Sequence, residues 1–136
     1  MERRTAIRQH LHIALEARQE ILFAYLHGPF SDASLSYNDV DVAVYLSPAW
    51  SAGQDLYEYE MELAVDLTLA LHIPVDAHVL NQVTIGFQHN VLHRGEPLFI
   101  RGAVGEEHLT NLIKQVGLAY MEFSYHARKY SLEVTS

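Results

Sequence analysis

The sequence predicts an α/β (α+β) fold in which helices pack on a mixed β-sheet. Short apolar runs of strand length alternate along the chain with longer segments whose apolar residues recur at helical spacing. Their order is helix, strand, strand, helix, strand, helix, strand, helix, which is typical of helices packed on a sheet. No repeat or Pro/Gly-rich linker divides the 136 residues, so we expect residues 1–136 to form a single domain.

The first half of the chain is predicted to supply two helices and two strands. Residues 5–19 carry an apolar stripe at helical spacing. Residues 21–26 form a short apolar run that ends before Gly28 and Pro29, which indicates a buried strand. Residues 39–46 alternate between polar and apolar as a half-buried strand does, and residues 55–71 return to the helical pattern.

The second half is predicted to supply two more strands and two more helices. A strand is expected over residues 75–80 and a short helix over residues 84–92. After a turn at residues 95–97, an edge strand is expected over residues 98–100. The last helix is predicted over residues 106–129.

Composition and charge exclude several classes of function. The chain has no cysteine, which excludes disulfides and thiolate chemistry. Its first residues are polar and no apolar run reaches 18 residues, so we expect no signal peptide, no membrane span and a cytoplasmic location. Between Arg18 and Arg94 there is no lysine or arginine, whereas the same stretch holds ten acidic residues. This charge pattern argues against nucleic acid as a main partner.

Three aspartates lie at the starts of two predicted strands. Asp39 and Asp41 are two residues apart, so their side chains project from the same face of one strand. Asp76 begins another apolar strand, and the three carboxylates converge if these strands are neighbours. Oxygen ligands at this spacing suit Mg²⁺. The alternative is structural: Asp39 caps the preceding loop, Asp41 lies at an exposed edge, and Asp76 is a solvated residue at a strand start.

Four histidines have a functional and a structural interpretation. His27 and His78 flank the expected cleft and are in a position to touch a ligand, but we interpret them as structural histidines with satisfied hydrogen bonds. His89 and His93 are four residues apart on a predicted helix, without a third zinc ligand nearby. We therefore interpret them as a solvated or half-packed pair.

Three segments together resemble a known enzyme family. The run GPFSDASLSYNDVDVAV at residues 28–44 resembles the G-S, spacer, D-x-D signature of the DNA polymerase β nucleotidyltransferase superfamily. The run VDAHVLN at residues 75–81 resembles the strand that carries the third carboxylate of that superfamily. The run HRGEPLFIR at residues 93–101, followed by a helix, is similar to the minimal nucleotidyltransferase (MNT) subgroup, and the similarity extends over residues 21–130.

The resemblance implies a nucleotidyltransferase-like fold and a role for each aspartate. Asp39, Asp41 and Asp76 would be the catalytic and metal-binding residues, holding two Mg²⁺ (or Mn²⁺) ions that bind ATP, and Asp76 would help to activate the attacking hydroxyl. The loop that begins at Gly28, with Ser31 and Ser36, would bind the nucleotide phosphates. Outside this loop, the cations that remain to reach a triphosphate are Arg94, Arg101 and Lys114.

The resemblance also implies a partner. Many MNT proteins are antitoxins that add AMP to a tyrosine of a small helical HEPN ribonuclease encoded nearby. Pro29 replaces the family serine, Asp32 occupies the place of a basic residue, and Ala33 replaces a second glycine. These departures favour an alternative, in which a catalytically degenerate fold neutralises the partner by binding alone. A third hypothesis is a metal-dependent nucleotide-binding sensor.

The last predicted helix carries aromatic residues on more than one face. We expect Tyr120 and Phe123 to point inward, and Tyr125 and Tyr130 to lie off the main stripe. Exposed aromatic residues of this kind usually mark contact sites. They predict a complex with the helical partner or, failing that, a homo-oligomer.

Overall fold

The computed structural model describes residues 3–32 and 35–135, with side chains to residue 129. Four strands form one sheet in the order β3-β2-β1-β4. They are β1 (Ile21–His27), β2 (Val40–Leu46), β3 (Val75–Val79) and β4 (Glu96–Ile100). Strand β1 runs antiparallel to β2 and β4, whereas β2 and β3 are parallel. The predicted mixed sheet is therefore confirmed.

In the described parts of the chain five helices accompany the sheet, and four of them occur in the predicted order. They are α1 (Arg3–Glu16), α2 (Pro48–Ser51), α3 (Leu56–Leu71), α4 (Ile85–Arg94) and α5 (Gly102–Thr135). The single turn α2, which begins with Pro48 at a first helical position where proline fits well, was not predicted. Within the described parts of the chain, no helix is both long and apolar enough to cross a lipid bilayer.

The core lies on both faces of the sheet. All seven residues of β1 are buried, which explains why this strand reads as an uninterrupted apolar run. On one face, the buried leucines of α1 and α3 pack against the sheet; they are Leu11, Leu15, Leu63 and Leu67. On the other face, the sheet packs against Val91 of α4 and against Leu109, Leu112 and Val116 of α5.

The turn after α3 places β3 beside β2. His72 ends α3 in a left-handed conformation with φ of 56°, and its backbone N–H donates to the Thr68 carbonyl. The Val40 N–H then donates to the Pro74 carbonyl at 2.9 Å. Because this hydrogen bond joins the beginnings of the two strands, it fixes the register in which Asp41 and Asp76 are neighbours.

The distal part of α5 departs from the predicted packing. Phe123 is 70% exposed, so the expectation that it points inward is wrong. Tyr120 is 38% exposed and stacks on the His89 ring of α4, with centroids 3.7 Å apart. The reason is that α5 continues past the sheet, so that Val116 is the last residue it buries among the described side chains. Tyr125 is exposed, as expected, and the side chain of Tyr130 lies outside the described residues.

Candidate active site

Strand pairing brings four polar side chains to one end of the sheet. Asp41 of β2 is paired with His27 of β1 on one side and with Asp76 of β3 on the other. Residues paired across strands project from the same face, and so do residues two apart in one strand. His78 therefore joins Asp76, and His27, Asp41, Asp76 and His78 lie on the face that is covered by α4 and α5.

Three of these residues form a compact group of potential metal ligands. One donor atom from each of Asp41, Asp76 and His78 lies within 4.8 Å of the others. His78 Nε2 is 3.5 Å from Asp76 Oδ2. Asp39 is exposed, directly before β2, and is not part of this group. It is nevertheless close enough for its charge to act on Asp41.

The electrostatics of Asp41 favour a bound cation. The pKa of the Asp41 carboxyl is raised, chiefly because the group is partly buried and also because Asp39 and Asp76 are negatively charged; His78 opposes the rise. A divalent cation would relieve both the desolvation and the repulsion of these groups. Two carboxylates and an imidazole at these distances are a donor set that fits such a cation.

His27 differs from the predicted structural histidine. It is only 9% exposed, and its Nε2 atom has no hydrogen-bond partner among the described residues. Burial and the neighbouring His78 lower the pKa of His27 to about 4, although Asp76 and a hydrogen bond to the Val42 backbone act in the opposite direction. The imidazole is therefore neutral at neutral pH, and the expectation of a fully hydrogen-bonded His27 is wrong.

The rings of His27 and His78 are packed together with Phe87 of α4. The centroids of the two imidazoles are 5.5 Å apart, and Phe87 lies 5.5 Å from His27 and 4.9 Å from His78. The sequence contained a signal for this arrangement, because His78 follows Asp76 at the two-residue period of a strand. The pairing of His27 with Asp41 required the register of β1 and β2, which the pattern did not provide.

The loop after β1 passes directly against Asp41. Gly28 has φ of +72°, and a Cβ atom at this position would lie 2.4 Å from Asp41 Oδ2. Pro29 then begins a single 3₁₀ turn (Pro29–Ser31). The Ser31 hydroxyl donates to the Gly28 carbonyl at 2.9 Å, so it is engaged within the loop itself. Glycine is needed here because any side chain would displace the carboxylate.

Ser36 lies away from the Gly28 turn. It is exposed and lines a separate cleft together with Arg3, Asn38 and Pro74.

Arg4 of α1 contacts the segment that contains Ser36. Its guanidinium donates to the Leu35 carbonyl and lies 4.7 Å from the centre of the Tyr37 ring. The contact of Arg4 with the loop was not predicted, because the carbonyl that it binds lies 31 residues later in the chain. Ala33 lies outside the described residues.

Two of the cations considered for triphosphate binding occupy opposite ends of the sheet. The Arg101 guanidinium donates to the carbonyls of Ile21, Glu16 and Arg18 at 2.8, 2.8 and 3.0 Å. Because Ile21 begins β1 whereas the site lies at the end of β1, the expectation that Arg101 can reach a triphosphate is wrong.

Arg94 lies at the other end of the sheet and is exposed, directly before β4. Glu96 of β4 pairs with Leu26, which lies at the end of β1 that carries the site.

His89 and His93 form the half-packed pair that was expected. Their rings are stacked at 5.5 Å, and His89 also stacks on Tyr120. Neither residue belongs to a group of three potential ligands within the described parts of the chain. Lys114 is exposed on α5.

Several solved structures share this fold over nearly the whole chain. A crystal structure of the toxin–antitoxin MntA–HepT superposes with a TM-score of 0.70 at 17% identity, covering 97% of this chain and 99% of that chain. A toxin–antitoxin crystal structure with AMP-PNP gives 0.66 at 20% identity, covering 95% and 97%. A structure of a tri-AMPylated Shewanella oneidensis HEPN toxin in complex with an MNT antitoxin gives 0.66 at 21% identity, covering 98% and 99%.

Sequence comparison identifies the family. No curated protein sequence matches the chain. The family model described as polymerase beta, nucleotidyltransferase, matches residues 9–103, which is more than half of the chain and includes Gly28, Asp39, Asp41 and Asp76. The fold, the sheet order and this match agree with the resemblance of residues 28–44 and 75–81, and the chain belongs to the polymerase β nucleotidyltransferase family.

Proposed function

We propose that this protein is an MNT antitoxin that transfers AMP from ATP to a tyrosine hydroxyl of a small helical HEPN-type partner. The observation that carries the proposal is the register of Asp41 and Asp76 on neighbouring strands, with the Gly28 backbone packed against Asp41. Two structural neighbours support the partner and the reaction: the MntA–HepT complex and the AMPylated HEPN toxin bound to its MNT antitoxin.

Each residue of the site has a role in this reaction. Asp39, Asp41 and Asp76 would hold Mg²⁺ or Mn²⁺, and Asp76 would also accept the proton of the attacking hydroxyl. Divalent metal, when bound, would supply positive charge that stabilises the charge developing at the α-phosphate during adenylyl transfer. The tyrosine oxygen forms a bond to the α-phosphorus of ATP, and the bond from that phosphorus to the bridging oxygen of the β-phosphate breaks to release pyrophosphate.

The loop and the nearby cations position the triphosphate. Pro29 has no N–H group, so the backbone donors for phosphate are those of its neighbours Gly28 and Phe30. Ser31 stabilises the turn through its bond to the Gly28 carbonyl. Arg94 is an exposed cation at the same end of the sheet and supplies charge to the outer phosphates.

The test is an AMP-transfer assay with α-labelled ATP and the co-expressed helical partner. We expect label on the partner in the presence of Mg²⁺ or Mn²⁺, and a loss of at least about 100-fold in Asp41→Asn because a charged metal ligand is removed. The matched control is Asp66→Asn, which removes a carboxylate paired with Arg18 on the other side of the molecule from α4 and α5. Equal labelling by Asp41→Asn and the wild type would refute the assignment.

A second function is favoured by Pro29 and by the engaged Ser31 hydroxyl. Both features leave fewer phosphate donors than the family signature provides, as expected if the fold neutralises its partner by contact alone. Under this alternative, Asp41→Asn inhibits the partner as well as the wild type does, and neither needs ATP. Under the enzymatic proposal, inhibition requires ATP and is lost in Asp41→Asn.

A further inference from the structure

We infer that His78 is a nitrogen ligand of the metal at this site, and that it shifts the metal preference towards Mn²⁺ and away from Mg²⁺. The inference rests on the metal-binding part of the proposed function and names the residue that determines metal specificity. It goes beyond the three aspartates, because it makes the site a mixed oxygen and nitrogen site.

The geometry of β3 places the imidazole among the carboxylates. His78 lies on the same strand face as Asp76, with its Nε2 atom 3.5 Å from Asp76 Oδ2. The donor atoms of His78, Asp76 and Asp41 all lie within 4.8 Å of one another. Two ligands of one octahedral cation lie roughly 3 to 4.3 Å apart, so small side-chain movements are enough for all three to bind one ion.

The chemistry of the donors then decides which metal is preferred. Mg²⁺ is a hard cation that is bound through carboxylates, phosphates and water. Imidazole nitrogen is a softer donor, and its affinity increases along the first-row divalent metals that begin with Mn²⁺. Replacing one oxygen ligand by His78 therefore favours Mn²⁺ relative to Mg²⁺.

His27 provides an independent indication that a hydrated cation binds at this site. It is 9% exposed, and its Nε2 atom is buried without a hydrogen-bond partner in the described parts of the chain. Its ring lies 5.5 Å from that of His78, and its backbone is paired with Asp41. Buried polar atoms are nearly always satisfied by protein or ordered water, and the water molecules of a hydrated cation are donors suited to this nitrogen.

The test compares the affinities of Mn²⁺ and Mg²⁺ for the metal-free protein by calorimetry. We expect the wild type to bind Mn²⁺ more tightly than Mg²⁺. In His78→Asn, the ratio of the two affinities should fall about tenfold or more, mainly through weaker Mn²⁺ binding. The matched control is His93→Asn, which removes an exposed imidazole on α4 outside the ligand group and should leave the ratio unchanged.

Two outcomes separate this inference from the proposal on which it rests. If Asp41→Asn abolishes binding of both metals while His78→Asn keeps the wild-type ratio, the role of His78 is refuted and the metal site stands. If the wild type binds neither metal, both are refuted. Should His78→Asn fail to fold, pulsed EPR of Mn²⁺ bound to the wild type decides, because a coordinated imidazole gives a hyperfine coupling to a directly bonded ¹⁴N nucleus, and the absence of this coupling would refute the role of His78.

Discussion

At Gly28 the backbone combines φ of 72° with ψ of −167°, a region that only glycine occupies readily. The same position faces Asp41, whose Oδ2 atom would lie 2.4 Å from an added Cβ. Two separate effects therefore act on any substitution here: backbone strain, and displacement of the carboxylate. Gly53 separates them, because its φ of +80° is also positive but nothing lies within 4 Å of an added Cβ.

We predict that Gly28→Ala lowers the free energy of unfolding by about 1–3 kcal/mol and weakens Mn²⁺ binding, because the Asp41 carboxylate must move. Gly53→Ala should cost about 1 kcal/mol without changing metal affinity. Chemical denaturation and calorimetric titration measure the two quantities. Equal metal affinity in the two variants would show that the contact between Gly28 and Asp41 is unimportant.

The sequence predicted some site residues better than others, for physical reasons. The two-residue period of a strand was enough to identify Asp41 and Asp76 as candidates, because it depends only on local geometry. The orphaned Nε2 of His27 was not predictable, since it depends on burial under Phe87 of α4. The role of Arg101 was missed because its three acceptors lie about 80 residues earlier in the chain.

Among the elements, Arg101 joins the end of α1 to the beginning of β1. The last carbonyls of a helix lack partners within the helix, and the Arg101 guanidinium satisfies that of Glu16 together with those of Arg18 and Ile21. The flat guanidinium presents several donors in a fixed arrangement, which a lysine ammonium cannot reproduce. Arg101 is thus part of the framework, whereas Arg94 is an exposed residue with access to solvent.

We predict opposite effects for these two arginines. Arg101→Ala should lower the free energy of unfolding by about 2–3 kcal/mol, because three carbonyls lose a charged donor, and Arg101→Lys should restore little of it. Arg94→Ala should leave stability within about 0.5 kcal/mol and weaken ATP binding several-fold. Denaturant unfolding and ATP titration with Mn²⁺ distinguish the two. A stable Arg101→Ala variant with impaired ATP binding would reverse the assignment.

The boundaries of the elements were predicted closely where local signals are strong. Asp55 caps α3 by accepting from the Glu58 N–H at 3.1 Å, and Thr84 caps α4 by accepting from the Phe87 N–H at 3.2 Å. Strand β4 was predicted to begin at residue 98, because Pro97 indicated a turn. The strand begins earlier, at Glu96. Proline is tolerated there because β4 is an edge strand, where one side of the backbone makes no ladder hydrogen bonds.

On the scale of the whole molecule, the local sequence pattern did not predict the order of the strands in the sheet. The sequence predicted that the three carboxylates converge if β2 and β3 are neighbours, but hydrophobic periodicity does not specify which strands pair. The parallel pairing of β2 and β3 depends on α3 packing across the sheet through Leu63 and Leu67. Such long-range packing is encoded in the surfaces of the elements and not in their local sequence pattern.

A second whole-molecule feature is the part of α5 that extends beyond the sheet. From residue 117 to residue 129 no described side chain is buried, and four apolar side chains are between 63% and 70% exposed: Leu118, Met121, Phe123 and Tyr125. A helical segment with few packing contacts gains little stability from hydrogen bonds alone, and exposed apolar residues of this kind mark contact sites. This segment is therefore the surface that we expect the proposed helical partner to cover.

We predict that Met121→Glu combined with Leu118→Glu weakens the complex by at least about 100-fold, since charged groups would be buried at the centre of the contact. Size-exclusion chromatography of the co-expressed proteins measures the loss. Ile13→Glu on α1, 69% exposed in the free protein, is the matched control and should still co-elute.

A second apolar stripe, on α3, is the competing contact surface and includes Met61, which is 71% exposed. If Met61→Glu dissociates the complex while the α5 double variant has no effect, the partner binds α3 and not α5. The α5 segment would then have to be stabilised by something other than the partner.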